Sequence, residues 1–264
     1  MQNTISNARF PFGQPLKPVK QQDRSPKKVF VLGVYASAVH AKWLASDGKQ
    51  LCQALAVASE PEIFWRGENA EEVISKIAIP PEAGSLKQAE GKFNGPSGKA
   101  LDELYLAPLG LTRADAWLCD LVPHSLLNQG QSEAIQKHYA PMCEKHGLPT
   151  ASIPAKPTGD LIDENRRNEI LAELKESRAE TIILLGEEPL KWFLSAVSDC
   201  KKTRLAEFGN ETATYGSAHT VSIDGKAYSV TPLTHMRQAG GFGSHSDEWE
   251  RLHAGWVESV RKPA

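Results

Sequence analysis

Residues 93–124, FNGPSGKALDELYLAPLGLTRADAWLCDLVPH, gather three kinds of group that can do chemistry: an aromatic ring, a carboxylate and an imidazole. Phe93 opens a turn rich in Gly and Pro (Asn94, Gly95, Pro96, Ser97, Gly98). Asp120 and His124 stand at the C-terminal end of an apolar run, Ala116–Val122. Such polar groups at a strand tip, beside a loop aromatic, suit a small-ligand pocket, because open α/β sheets bind ligands outside the carboxyl ends of their strands.

Elements must hold these groups in place. Leu101, Leu104, Tyr105 and Leu109 repeat at three-to-four spacing and predict a helix, and Ala116–Val122 reads as a buried strand. Upstream, KVFVL (Lys28–Leu32) is a short β-branched run ending at Gly33, again a strand. The following GVYASAVHAKW reads as a loop or helix start, and residues 41–90 as two helices, about 47–58 and 69–78, around an aromatic IFWRG segment. Downstream, Ser132–His146 reads as a helix closed by Gly147, and Asp160 or Asp163 as the cap of a helix carrying Ile170, Leu171 and Leu174. TIILL (Thr181–Leu185) is a further buried strand, followed by a helix. Asp224-Gly225 signals a two-residue hairpin turn, whose second arm delivers His235. Asp247–Val260 closes the chain as a helix with Trp249, Leu252, Trp256 and Val260 on one face. Strands alternating with helices imply a mostly parallel sheet covered on both faces. The four core strands are 28–33, 115–122, 180–185 and 227–233.

Composition sets bounds. The chain has 264 residues, 41% hydrophobic and 23% charged, enough for one large domain. Residues 1–26 read as an N-terminal arm, partly ordered through Phe10 and Phe12. Residues 27–264 read as a single domain with an insertion at about 41–90. No apolar run approaches the roughly 18–20 residues of a membrane helix, and the first twenty residues lack the apolar core of a signal peptide. Cys52, Cys119, Cys143 and Cys200 are scattered singly, so neither a metal site nor a cofactor is expected, and reduced cytoplasmic thiols are. A net charge of −2 argues against a generic nucleic-acid coat while leaving room for a local basic cleft. Lys17, Lys20, Arg24, Lys27 and Lys28 form the clearest basic run, open to two readings: a solvated arm or a phosphate contact.

The central block also resembles the uracil-DNA glycosylase superfamily. The similarity is greatest to the branch that reads roughly F-V-G-P-A-G-x-x-L-D-x-L-L, then G-L, then a strand ending T-N-V-V. The matching residues are FNGPSGKALDEL, LGLTRADAW and CDLV. The resemblance implies a three-layer α/β/α sandwich on a central four-stranded, mostly parallel sheet. It also implies base flipping, excision that leaves an abasic site, and DNA, double- or single-stranded, as partner, the protein acting as a monomer and without a membrane. Phe93 occupies the stacking position; the bland alternative is a core aromatic. Asp120 falls where the family usually places Asn. An ionised carboxylate only accepts hydrogen bonds, which suits an amino-bearing edge such as cytosine N4 and opposes uracil O4. The alternative is that Asp120 points away or pairs with His124.

The family's first motif, G-E-A-P-G-x-x-E, departs to Gly33-Val34-Tyr35-Ala36-Ser37-Ala38-Val39-His40. Both carboxylates are absent and His40 stands where the second falls. An imidazole, with its unperturbed pKa near 6.5, can orient or deprotonate water, though a lone His is as readily structural. Tyr35 and the backbone of Gly33 would bound the base pocket. His235 matches the second-motif His, which faces the leaving base's carbonyl oxygen. Met236 would wedge into the base stack, and Arg237, Gln238 and Ser97 would contact DNA. The Gly240–Ser246 loop reads either as a DNA contact or as a connector. Trp43, Phe64, Trp65 and Arg66 of the insertion would either line a pocket for a bulky base, such as sugar-bearing hydroxymethylcytosine of phage DNA, or form the insertion's own core. Two further functions compete. One is a catalytically inactive module that recognises modified DNA, suggested by the lost carboxylates. The other is hydrolysis of a free nucleotide or nucleoside.

Overall fold

The computed structural model describes residues 7–237 and 246–261. Eight strands run through them: β1 (Val29–Tyr35), β2 (Ala38–Leu44), β3 (Gln50–Ser59), β4 (Ser85–Gln88), β5 (Ala116–Val122), β6 (Thr181–Leu185), β7 (His219–Ile223) and β8 (Lys226–Leu233). The chain divides into two compact units: residues 1–19, 35–99 and 123–158, and residues 20–34, 100–122 and 159–264.

The second unit carries the α/β sheet, in the order β5-β1-β6-β8-β7. β6 pairs in parallel with β1 (Phe30 opposite Ile182) and with β8 (Ile182 opposite Val230), while β7 runs antiparallel to β8. Strands buried on both faces read as continuous apolar runs, and VFVL and TIILL do. Asp224 and Gly225 both take positive φ, 53° and 78°, as a type I′ hairpin requires. β7, the first arm of that hairpin, adds a fifth strand to the four expected. Helices flank the sheet. Glu164–Ser177 packs on β5 and is capped by Asp163, whose carboxylate accepts from the Arg166 N–H at 2.9 Å. Asp247–Arg261 buries Trp249, Leu252, His253 and Trp256.

Four members of the basic run are ion-paired within the protein. Lys20 pairs with Glu169, Arg24 with Glu176, Lys27 with Asp23 and Lys28 with Asp115. Lys27 also donates to the Ala114 carbonyl, and Gln21 Oε1 accepts from the Leu118 N–H of β5. Residues 20–28 are thus an ion-paired strap rather than a free cationic arm.

The first unit holds an antiparallel sheet, β3-β2-β4. This corrects two expectations. The segment after β1 is a strand, with Val39, Ala41 and Trp43 buried and His40, Lys42 and Leu44 partly exposed. Residues 50–59 are also a strand rather than a helix. Leu51, Leu55 and Ala58 mimic helical spacing, but pairing with β2 outweighs the good helix propensity of Leu, Ala and Gln. The second expected helix is present as Ala70–Ser75. Phe10 and Phe12 are buried, and Tyr139 anchors the segment, accepting from the Phe12 N–H at 2.6 Å. Gly147 ends the helical stretch 129–146 with φ 64°.

Candidate active site

Asp120 and His235 lie in the second unit, on β5 and just after β8. Asp120 is only 4% exposed. Its backbone is fixed by Arg166, whose five donors are all used. Nε donates to the Leu121 carbonyl (3.0 Å), and Nη2 to the Asp120 carbonyl (2.7 Å) and the Cys119 thiol (3.4 Å). Nη1 serves Glu169 (2.8 Å) and Glu173 (3.3 Å). Glu173 is itself buried and accepts from the Trp117 indole at 3.2 Å.

Among the described residues no hydrogen bond reaches the Asp120 carboxyl. Burial pushes its pKa up to about 7; the Arg166 charge opposes the rise and Glu173 adds to it. Asp120 therefore titrates near neutrality. Ionised, it accepts only; protonated, it both donates and accepts, as an amide does.

His235 is half-buried. Its Nδ1 accepts from the Arg237 N–H at 3.1 Å, so the ring proton sits on Nε2. Burial, and then the Arg237 charge, pushes its pKa down to about 4. Near neutral pH it is a neutral imidazole whose Nε2–H is free of that bond. The residue before it is held from two sides: Tyr105 Oη donates to the Thr234 carbonyl (2.7 Å), and Tyr215 Oη accepts from the Thr234 N–H (3.1 Å). Met236 is 5% exposed, so the wedge expected of it is largely covered, whereas Arg237 is exposed. Gly33 lies within β1 and is buried. Gln238 and residues 240–245 of the Gly-rich loop lie outside the described residues.

Tyr35, His40, Phe93 and Ser97 belong to the first unit. His40 is mid-strand on β2, on its less buried side, not in a loop as expected. Tyr35 ends β1 and Ser97 sits in the helix Pro96–Ala100; both are partly exposed. Phe93 closes a short 3-10 turn, Gly91–Phe93, and is partly exposed, with Lys92 Nζ 5.2 Å from its ring centroid. It is not a sealed core residue. Next to it, Asn94 is buried and binds the backbone of His40: Oδ1 accepts from N–H (2.8 Å) and Nδ2 donates to the carbonyl (2.9 Å). His124 turns Nδ1 to the Ser125 carbonyl at 3.0 Å.

The aromatics of the insertion are core. Trp43, Phe64 and Trp65 are 0%, 6% and 3% exposed, and Trp43 donates its indole N–H to the Ala83 carbonyl at 2.7 Å. The turn Gly95–Gly98 packs on that segment's backbone. A Cβ on Gly95 would lie 1.9 Å from the Arg66 carbonyl carbon, and one on Gly98 2.1 Å from the Phe64 oxygen.

Sequence reasoning missed Asn94, Arg166, Tyr105 and Tyr215. Asn94 read as a turn residue and Tyr105 as one more apolar position in a helix. Arg166 and Tyr215 carried no local signal. Among the described residues no group of three or more His, Cys, Asp or Glu is placed to hold a metal, and no helix is long and apolar enough to cross a membrane.

A family model described as the uracil DNA glycosylase superfamily matches residues 80–252, more than half of the chain. The chain belongs to that superfamily, whose members are DNA glycosylases that bind DNA. Phe93, Ser97, Asp120, His235, Met236 and Arg237 fall inside the match; Gly33, Tyr35 and His40 precede it. No curated protein matches the chain.

Proposed function

We propose that this chain is a monofunctional DNA glycosylase acting on a base with an exocyclic amino group, cytosine-like and including hypermodified cytosines of phage DNA. Water adds to the sugar C1′, the N-glycosidic bond breaks, and the base departs with the bonding electrons. Asp120 carries the reading: a buried carboxyl stands where an amide would read uracil, and its ionised form accepts from an amino group while opposing a carbonyl oxygen. His235, neutral with its proton on Nε2, supports a second role. It donates to the base's O2 as negative charge develops, an interaction worth about 3–4 kcal/mol in comparable oxyanion sites. By the resemblance, Phe93 is the candidate for stacking on the base, and Tyr35 and the Gly33 backbone are the candidates for bordering it. His40 is the candidate for orienting water, and Ser97, Arg237 and Gln238 for holding the DNA strand.

Single-turnover cleavage of oligonucleotides carrying uracil, cytosine, 5-hydroxymethylcytosine or glucosylated 5-hydroxymethylcytosine, followed by alkali, tests the reading. Abasic product at one of the cytosine-type bases is expected. Efficient removal of uracil with none of the others touched overturns the substrate class.

A second reading is a module that binds modified DNA without cutting it. It is favoured by the absence of any carboxylate from Gly33 to His40, where the resembled family carries two. It predicts salt-sensitive DNA binding with no abasic product at any of the four bases.

A further inference from the structure

We propose that Tyr105 and Tyr215 are positioning residues that set the direction and tautomer of the His235 ring by gripping the two peptide groups ahead of it. This rests on the role proposed for His235. The Thr234 carbonyl belongs to the peptide that joins Thr234 to His235, and Tyr105 Oη donates to it at 2.7 Å. The Thr234 N–H belongs to the peptide before, and it donates to Tyr215 Oη at 3.1 Å. β8 ends at Leu233, so Thr234 has left the strand that would otherwise orient it. Two phenols replace the sheet where the chain turns toward its imidazole. Both rings are buried, 0% and 4% exposed, and Thr234 is fully covered.

The phenols are themselves held. Tyr105 packs against His253 and Trp256, with ring centroids 5.2 and 6.5 Å away. His253 stacks on Trp249 at 4.6 Å, and its Nε2 meets the Leu104 carbonyl at 2.9 Å. An α-helical donor to that carbonyl would come from residue 108, which is Pro108 and has no N–H; the segment Leu101–Leu106 is a π-helix, in which the Ala107 N–H donates to the Asp102 carbonyl. The imidazole of His253 supplies the donor, so the closing helix Asp247–Arg261 fixes the turn that bears Tyr105. On the far side of Thr234, the Arg237 N–H points at His235 Nδ1 and selects the tautomer. That bond forms only if the backbone of residues 234–237 keeps its course, which the two phenols set.

The test uses Tyr105→Phe and Tyr215→Phe in the full chain, each keeping its ring and losing one hydroxyl. Tyr139→Phe is the control: this buried phenol also bridges two backbone groups, Phe12 N–H and the Pro149 carbonyl. Imidazole 15N resonances of His235, assigned with His235→Gln, report its tautomer in the free protein. The expected result is a loss of the single Nε2–H form in either Tyr variant and none in the control. On the cleaved base, the single-turnover rate should fall about tenfold to a hundredfold with DNA affinity unchanged. His235 resonances that stay at wild-type positions in both Tyr variants overturn the proposal, whatever the protein cleaves. Shifted resonances in the Tyr variants, together with a parent protein that cleaves none of the four bases, support the positioning role and remove the glycosylase reading instead. If one variant fails to fold, the other decides.

Discussion

Asn94 holds the backbone of His40 at both ends, accepting from its N–H at 2.8 Å and donating to its carbonyl at 2.9 Å. A side-chain amide thereby plays the part of a neighbouring strand, and the residue after Phe93 is tied to the middle of β2. Asn94→Ala should cost about 1–3 kcal/mol, because it takes the side-chain acceptor from the His40 N–H and leaves the His40 carbonyl with the Ala89 N–H at 3.2 Å. Urea unfolding with an unchanged m-value measures this. A variant as stable as the parent would mean that water replaces both bonds.

Asp120→Asn exchanges an acceptor-only edge for one that also donates. It should move excision from amino-bearing bases toward uracil, read as the ratio of single-turnover rates on the two oligonucleotides. The parent's rate on an amino-bearing base should rise with pH through about 7, as Asp120 ionises, and the variant's should not.

Stability gives the same group a second readout. The carboxyl's folded pKa is raised above the ordinary 3.8, so the folded state holds its proton more tightly than the unfolded chain. Its contribution is fully present below about pH 4. It is lost as pH rises toward 7, at no more than about 1.4 kcal/mol per pH unit. Relative to Asp120→Asn, the parent should therefore weaken between pH 4 and 7 and hold a constant deficit above that. Parallel melting-temperature curves for the two proteins across this range would refute it.

Removing the imidazole in His235→Ala should lower the rate of base release by about a hundredfold to a thousandfold with little change in DNA affinity. Because the folded pKa of His235 is depressed to about 4, no rise in rate near pH 6.5 should be traceable to it. The stability held by its neutral form is present above 6.5 and lost as pH falls through 4. Rate profiles of the parent and the variant, measured from pH 5 to 8 on the same oligonucleotide, make the comparison.

Arg166→Ala should be among the most damaging changes in the second unit. It removes five hydrogen bonds and leaves Glu173 buried without its cation, a loss of about 3–5 kcal/mol. Arg166→Ala/Glu173→Gln should recover part of that stability, since the stranded charge is gone. Chemical denaturation of the single and double variants provides the cycle.

Much of the second unit is legible in the sequence. Its strands are short apolar runs with no competing period, and Asp224-Gly225 and Asp163 are local signals whose chemistry needs no partner elsewhere. β3 is different. Its Leu51, Leu55 and Ala58 satisfy a helical template, and only a neighbouring strand makes the segment extended. β2 could have been read, because Val39, Ala41 and Trp43 alternate with His40 and Lys42. Phe93, Asp120 and His235 stand out by residue type against the resembled pattern. The groups that hold them do not: Arg166 lies 46 residues from Asp120 and Tyr105 lies 129 from Thr234, and pairings at that range leave no trace in a local window. Trp43, Phe64 and Trp65 show the converse error, where aromatics that suggested a pocket wall are fully occupied with packing.

The fit of Gly95 and Gly98 against the chain at Phe64–Arg66 changes what the most recognisable signature in this protein signifies. These two positions are closed to any side chain by the molecule's own main chain, before DNA enters the question. A descendant that had abandoned excision altogether would face the same steric veto. The glycine signature therefore certifies ancestry and architecture, and evidence for a living enzyme must come from the carboxyl on β5 and the ring beyond β8.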